Sequence, residues 1–355
     1  INNVYHVERS KISFLYGSAT ILLLTENLRV RDSLGCFAAS AEHSVWEELP
    51  MKSFGHWLAG CALFSLGALV ACSTGTLWHP VEVISGRGSW SRRAAMPMEI
   101  SEVAVVAADN KIYVIGGSTR DRVDQPVNLE YDVATDRWRE RAPLPRGLTH
   151  AGAAALKGRI YVVGAFTASG HGEAVNSLYE YDPVADTWRA LAPLKSPRGS
   201  VGVAMLNGRI HAIGGRSAAK ATVTSHEVYD PASNRWTELA PLPRARDHLA
   251  VVAGDAFIHA IGGRLNASTD NVDQHDIYNP ATNSWRAGAT LPTARSGVAG
   301  AFYQGRIFIA GGECRDKRTY AEVEAYDLRT SRWISYTPMT VGRHGFGAAA
   351  AGGNL

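Results

Sequence analysis

Cysteine is scarce in this chain, with four in 355 residues, at positions 36, 61, 72 and 314. They are too few and too scattered to form a disulfide framework. An excess of one charge is missing as well. The 36 Lys and Arg against 33 Asp and Glu leave a formal net charge of +3, and the cations are spread along the chain, which excludes nucleic acid as an expected partner. No His-x-x-x-His, acidic calcium loop or Cys-x-x-Cys occurs, nor a G-x-S-x-G or a phosphate-cradling glycine loop. By these criteria neither a metal site nor a cofactor is expected. Unbroken helical periods are also hard to find. What the chain has is 35 Gly, 15 Pro and a 46% share of hydrophobic residues. That balance points to many short strands joined by turns around a large core.

The first part of the sequence differs from the rest. From Met51 a Lys and then an uncharged apolar run lead to Leu69-Val70-Ala71-Cys72, the layout of a secretory signal. Its end resembles a bacterial lipobox, which implies a mature chain starting at a lipidated Cys72. Two or more acyl chains hold a protein on a bilayer where one does so only marginally. The competing reading is an uncleaved anchor, because the stretch from Phe54 to Ala71 is about 18 residues, the lower limit for spanning. Residues 1–50 show no coherent pattern and are expected to be a non-native or disordered extension. Residues 51–71 are expected to be the signal and 72–88 a linker. The implied location is the bacterial envelope, on the periplasmic side of the outer membrane, with membrane contact through the lipid alone.

From Ser89 onward the sequence repeats. Trp90, Trp138, Trp188, Trp236, Trp285 and Trp333 recur at intervals of 48 to 50 residues. The last five each follow, by six residues, the second member of Tyr131-Asp132, Tyr181-Asp182, Tyr229-Asp230, Tyr278-Asn279 or Tyr326-Asp327. Earlier in each unit a small doublet closes an apolar strand: Gly116-Gly117, Gly164-Ala165, Gly214-Gly215, Gly262-Gly263 and Gly311-Gly312. Each unit reads as four strands, with turns such as Asn207-Gly208 between the first two and Asp-Pro turns before the Trp strand. Four antiparallel strands in roughly 50 residues, repeated radially, make a β-propeller.

This pattern resembles the kelch repeat over residues 89–355, and the resemblance implies an all-β propeller of six four-stranded blades. Gly353 stands at the turn between a sixth first and second strand, so the sixth blade is expected to be incomplete and truncated at its C-terminal side, with Trp90 supplying its fourth strand. The doublets, Tyr-Asp pairs and Trp residues are scaffold.

Functional candidates are polar residues where the units differ. Sixteen residues before the doublets stand Arg198, Arg246 and Arg295, with Arg343 in the same register, and Ile100 and Leu148 in the first two units. Two residues further on come Glu102, His150, Ser200, His248, Gly297 and Gly345. The loop after each doublet adds Arg120, His171, Arg216, Arg264, Glu313 and Arg315. Kelch proteins that bind acidic ligands use arginines at this register, so the resemblance makes Arg198, Arg246, Arg295 and Arg343 the expected ligand-binding residues at a channel mouth. The competing reading is that they bond carbonyls and acidic groups within the scaffold, since a five-donor fork serves either role. Glu102, His150 and His248 are the weaker candidates for acid–base work. The kelch resemblance leaves three functions open: a binding propeller for a protein, a glycan or an acidic ligand; a sugar mutarotase similar to N-acetylneuraminate epimerase; or a structural assembly lipoprotein. Copper chemistry of the galactose oxidase kind is not expected, because no partnered Tyr, Cys and His set is present.

Overall fold

The computed structural model describes the strands Val4–Tyr5 and Lys11–Leu15 and residues 87–355, apart from 169, 268 and 314–317. The expected signal segment, Cys72, Cys314 and Arg315 lie outside the described residues. Five antiparallel sheets of four strands follow one another along the chain. Blade 1 comprises Ala104–Ala108, Lys111–Ile115, Asn128–Asp132 and Arg137–Glu140. Blade 2 comprises Gly152–Leu156, Arg159–Thr167, Glu173–Asp182 and Thr187–Ala190. Blade 3 is Gly202–Leu206, Arg209–Ile213, His226–Asp230 and Arg235–Glu238. Blade 4 is Ala250–Gly254, Phe257–Ile261, His275–Asn279 and Ser284–Ala287. Blade 5 is Ala299–Tyr303, Arg306–Ala310, Val323–Asp327 and Arg332–Tyr336.

Each expected marker has a physical job. The Tyr and Trp of a repeat pair directly across the third and fourth strands, as Tyr229 does with Trp236. The indole N–H then crosses to the connection ahead of its own blade: Trp138 donates to the Ala94 carbonyl (3.0 Å), Trp188 to Ala142 (2.7 Å) and Trp236 to Ala192 (2.7 Å). Tyr131, Tyr181, Tyr229 and Tyr278 donate their hydroxyls to Asp136, Asp186, Asn234 and Asn283, five residues on. The same four side chains accept from the backbone N–H of Ala94, Ala142, Ala192 and Ala240. Aromatic bulk fills the gap between blades while its polar ends are satisfied across that gap.

Among the described residues the sixth position holds no four-stranded sheet, so five blades are complete, as the expected incomplete sixth blade implies. Trp90, in the strand Ser89–Arg92, donates to the Thr337 and Pro338 carbonyls at 3.1 and 2.8 Å, the same bond its five counterparts make. Lys11–Leu15 pairs parallel to that strand. Phe346, Ala348 and Leu355 pack with blade 5, whereas Ala349 and Ala351 pack with blade 1. Six apolar cores therefore lie between successive positions around the ring, four between neighbouring blades and two on either side of residues 346–355. A cavity of about 390 Å³ runs down the middle, lined by Val, Ala, Gly, Met and Phe of the five first strands and by Ala348, Ala349 and Ala350.

Candidate functional site

One end of the channel is polar. Glu102, His150, Ser200, His248, Gly297 and Gly345, the residues sharing the inner register, converge there around a cavity of about 110 Å³. A chain of backbone hydrogen bonds links them. The N–H of Glu102 donates to Gly345, that of His150 to Glu102, Ser200 to His150, His248 to Ser200 and Gly297 to His248, at 2.7 to 3.3 Å. All six have φ between 49° and 63°, the left-handed region where a side chain costs free energy and glycine does not. Two positions use glycine. The other four hold polar side chains against that cost, of order 1–3 kcal/mol each.

The loops after the doublets complete the mouth. The residue after each doublet bridges back to the residue before the ring position, as in Asp247 with Arg264 and Ser296 with Glu313. Arg264 is buried and held by two carboxylates: its Nε donates to Asp247 Oδ1 at 3.0 Å and its Nη1 to Glu313. Its Nη2 donates to His248 Nε2 at 3.0 Å and lies 3.4 Å from His171 Nε2. With Nε2 accepting, His248 carries its proton on Nδ1 and donates it to Asp247 Oδ1 at 2.6 Å. Ser200 Oγ is 3.2 Å from the same Nε2. Ser200, His248 and Asp247 thus stand in series, but Arg264 occupies the lone pair that a base would need. His171 and His248 meet Nε2 to Nε2 at 3.1 Å, and the His150 ring lies 4.5 Å from that of His171. His150 Nε2 is 3.2 Å from Glu102 Oε2, and its Nδ1 is 3.1 Å from Thr149 Oγ1.

Burial sets the protonation here. It lowers His150 to about 3 and His171 to about 4, with Arg264 among the lesser causes in both, and lowers His248 well below its ordinary value. All three rings are neutral at physiological pH. Burial also raises Asp247 against the opposing pull of Arg264. Arg264 and Arg216 face Asp247, Arg264 also faces Glu313, and Glu102 faces His150.

The structure brings together Glu102, His150 and His248, all named from the inner register, with His171, Arg264 and Glu313 from the loops. It does not bring Arg198, Arg246 and Arg295 together as a ligand cradle. Arg198, Arg246 and Arg295 are at most 1% exposed. Arg198 pairs with Glu227 and donates to the Ala212 carbonyl at 3.3 Å. Arg246 pairs with Asp276 at 2.9 Å and donates to Ala260 at 3.2 Å. Arg295 donates to Glu324 at 2.5 Å and to Ile309 at 3.2 Å. Each joins the second strand of its blade to the third. The register itself holds, since the carbonyls of Arg246, Arg295 and Arg343 accept from the second glycines of the doublets Gly214-Gly215, Gly262-Gly263 and Gly311-Gly312. The side chains of Arg198, Arg246 and Arg295 turn inward to buried acids, and Arg343 is half-buried. Asp247 and His344 were missed. His344 Nε2 lies 3.8 Å from Glu102 and 3.9 Å from Glu313. The signal for Asp247 was available: at its position the other units carry Ser101, Thr149, Gly199, Ser296 and His344.

Comparison with known proteins agrees with the repeat. The family model described as the KLHDC2/KLHL20/DRC7 Kelch-repeats domain matches residues 87–263, and the Kelch motif model matches residues 294–340. No curated protein matches the sequence significantly. Among 691 matching solved chains is one titled "Structure of YjhT", similar with a TM-score of 0.64 at 14% identity. The match covers 72% of this chain and 88% of that one, a likeness of fold. Motif, strand order and architecture agree that this chain is a kelch-repeat β-propeller.

Proposed function

We propose that this propeller binds a small hydroxyl-rich ligand, a sugar or the end of a glycan, at the polar mouth of its channel. The observation that supports this is the ring itself: four of six positions that favour glycine carry Glu102, His150, Ser200 and His248, with their side chains lining one cavity. Strained residues gathered at one place are a reason to look for a ligand there. The chemistry suits hydroxyls better than an anion. Arg264 is already neutralised by Asp247 and Glu313, and neutral imidazoles, a serine hydroxyl and a carboxylate offer the mixed donors and acceptors that a sugar uses. Saturation-transfer NMR against neutral hexoses, N-acetylhexosamines and N-acetylneuraminate tests this, and Glu102→Gln is expected to weaken binding of whichever sugar responds by about tenfold or more. No response from any sugar would count against the reading.

A second reading is favoured by the Glu102–His150 pair, 3.2 Å apart. Opening a sugar ring needs one group to take the proton of the anomeric hydroxyl as its C=O forms and another to protonate the ring oxygen as the ring C–O bond breaks. In this reading the protein is a mutarotase, and NMR exchange between anomers distinguishes it from simple binding. An envelope location, with a lipid on Cys72, belongs to the same proposal and is supported by Leu69-Val70-Ala71-Cys72 alone.

A further inference from the structure

We propose that His150, His171 and His248 bind a divalent transition metal of the zinc class at the channel mouth, with the Glu102 carboxylate beside them as a fourth ligand. One ring nitrogen of each histidine lies within 4.8 Å of the others. Around tetrahedral zinc, with Zn–N bonds of about 2.0–2.1 Å, neighbouring nitrogens stand roughly 3.3–3.4 Å apart. The His171 and His248 Nε2 atoms are 3.1 Å apart, close to that edge. An N–H···N bond alone accounts for a buried pair such as His211 and His226; what sets His171 and His248 apart is that a third histidine and the Arg264 Nη2 converge on the same two nitrogens, where a metal ion would bond.

The surroundings match what holds a histidine ligand in place. A ligating imidazole donates its other N–H to a carboxylate, a carbonyl or water, which fixes the tautomer and aims the lone pair. His248 does this through Nδ1 to Asp247 at 2.6 Å. His150 has Thr149 Oγ1 at 3.1 Å from Nδ1, which leaves Nε2 for the metal beside Glu102 Oε2, 3.2 Å away and close to a ligand-to-ligand distance. The rings of His150 and His171 also abut the Phe166 ring at 5.7 and 5.0 Å, which restricts their rotation.

Arg264 is the revealing neighbour. Its Nη2, 3.0 and 3.4 Å from the Nε2 atoms of His248 and His171, puts a cation's donor where a metal ion would bond. The guanidinium thus stands in for the metal, and metal binding displaces it toward Glu313, its other partner. Asp247 and Glu313 stay with Arg264, and Glu102, which faces His150 and His344, supplies the negative charge next to the ion. No spacing motif announces this site. His150 and His171 belong to blade 2, His248 opens blade 4, and His171 and His248 are 77 residues apart.

The site shares the mouth with the sugar site but does not depend on it. The test uses metal alone, on full-length protein without a polyhistidine tag, stripped with chelator and then titrated with Co²⁺ and with Zn²⁺. The expected result is about one equivalent bound, with visible Co²⁺ bands of four- or five-coordinate geometry. His171→Ala, a loop substitution, is expected to lower affinity about tenfold or more with its melting temperature unchanged, and Arg264→Gln to bind at least as tightly as the parent. A titration that saturates below half an equivalent, or one that His171→Ala leaves unchanged, overturns the proposal. Sugar binding measured in the presence of chelator keeps the two readings separate.

Discussion

Arg295 and Glu324 show how one residue can be misplaced while its register is right. Position along the repeat was legible from the glycine doublets, but the direction of the side chain depended on a partner 29 residues later. That partner was also in the sequence. Where the register holds Arg198, Arg246 or Arg295, the third strand holds Glu227, Asp276 or Glu324 two residues before its Tyr; where it holds Ile100 or Leu148, the third strand holds Leu129 or Tyr179. Charge goes with charge and apolar with apolar. Arg295→Ile alone should strand a buried carboxylate and destabilise the protein by about 3–5 kcal/mol, seen in denaturant unfolding. Adding Glu324→Leu copies the blade 1 pair and should recover most of that loss, because a buried ion pair is often replaceable by well-packed apolar groups. A single variant as stable as the parent would show that the arginine is no strut. The ring residues predict the opposite behaviour. At φ 56° Glu102 holds a conformation that glycine adopts freely, so Glu102→Gly should leave the melting temperature unchanged or higher while removing the ligand group.

Within an element, the four-strand reading was legible because the alternation and the turns were strong, whereas the buried histidine pairs were not. In blade 3 His211 Nδ1 meets His226 Nε2 at 2.9 Å, and in blade 4 His259 Nδ1 meets His275 Nε2 at 2.8 Å. A lone histidine in a strand carries no sign of a partner 15 residues away. Burial is the main cause lowering His211 and His275 to about 4 and His226 and His259 to about 3; the partner histidine adds to it for His226 and His259, and nearby arginines do so for all four. Unfolded histidines titrate near 6.5, so below that pH the unfolded chain binds more protons than the folded one. Stability present above pH 6.5 is therefore lost as pH falls toward 4, by about 2 kcal/mol per independent histidine at pH 5. Blade 5 carries Phe308 and Val323 at the same two positions. His211→Phe with His226→Val should then flatten the decline in melting temperature between pH 7 and 5, and an unchanged slope would refute the assignment. Glycines divide in a similar way. A Cβ at Gly214, φ +62°, would meet the Arg246 carbonyl oxygen at 2.5 Å, whereas Gly208, φ +73°, has open space within 4 Å. Gly214→Ala should cost several times the roughly 1 kcal/mol expected of Gly208→Ala.

At the scale of the whole molecule, the repeat announced the propeller and its inner register, and the structure bears both out with five complete blades. How residues 346–355 close the ring was only partly legible, because six interblade cores need apolar side chains at the sixth position but not a full sheet there. The mouth was legible as a set of positions and not as a network. Glu102, His150, His171, His248 and Arg264 come from the connection before blade 1, from blade 2 and from blade 4 with its loop, so only closure of the ring makes them neighbours. The envelope reading rests on sequence, and intact-mass spectrometry of the protein purified from its native cells should find a lipidated N-terminal cysteine; a peptide spanning Ala71-Cys72 would contradict it. The central claim is that ligand is held at the ring and not by the register arginines. Saturation-transfer NMR with the same sugar panel, run on the parent, on Glu102→Gln and on the Arg295→Ile/Glu324→Leu pair, tests it most directly. Binding weakened about tenfold or more in the first variant and unchanged in the second is the result predicted. Binding that survives in Glu102→Gln but is lost in the paired variant would contradict it.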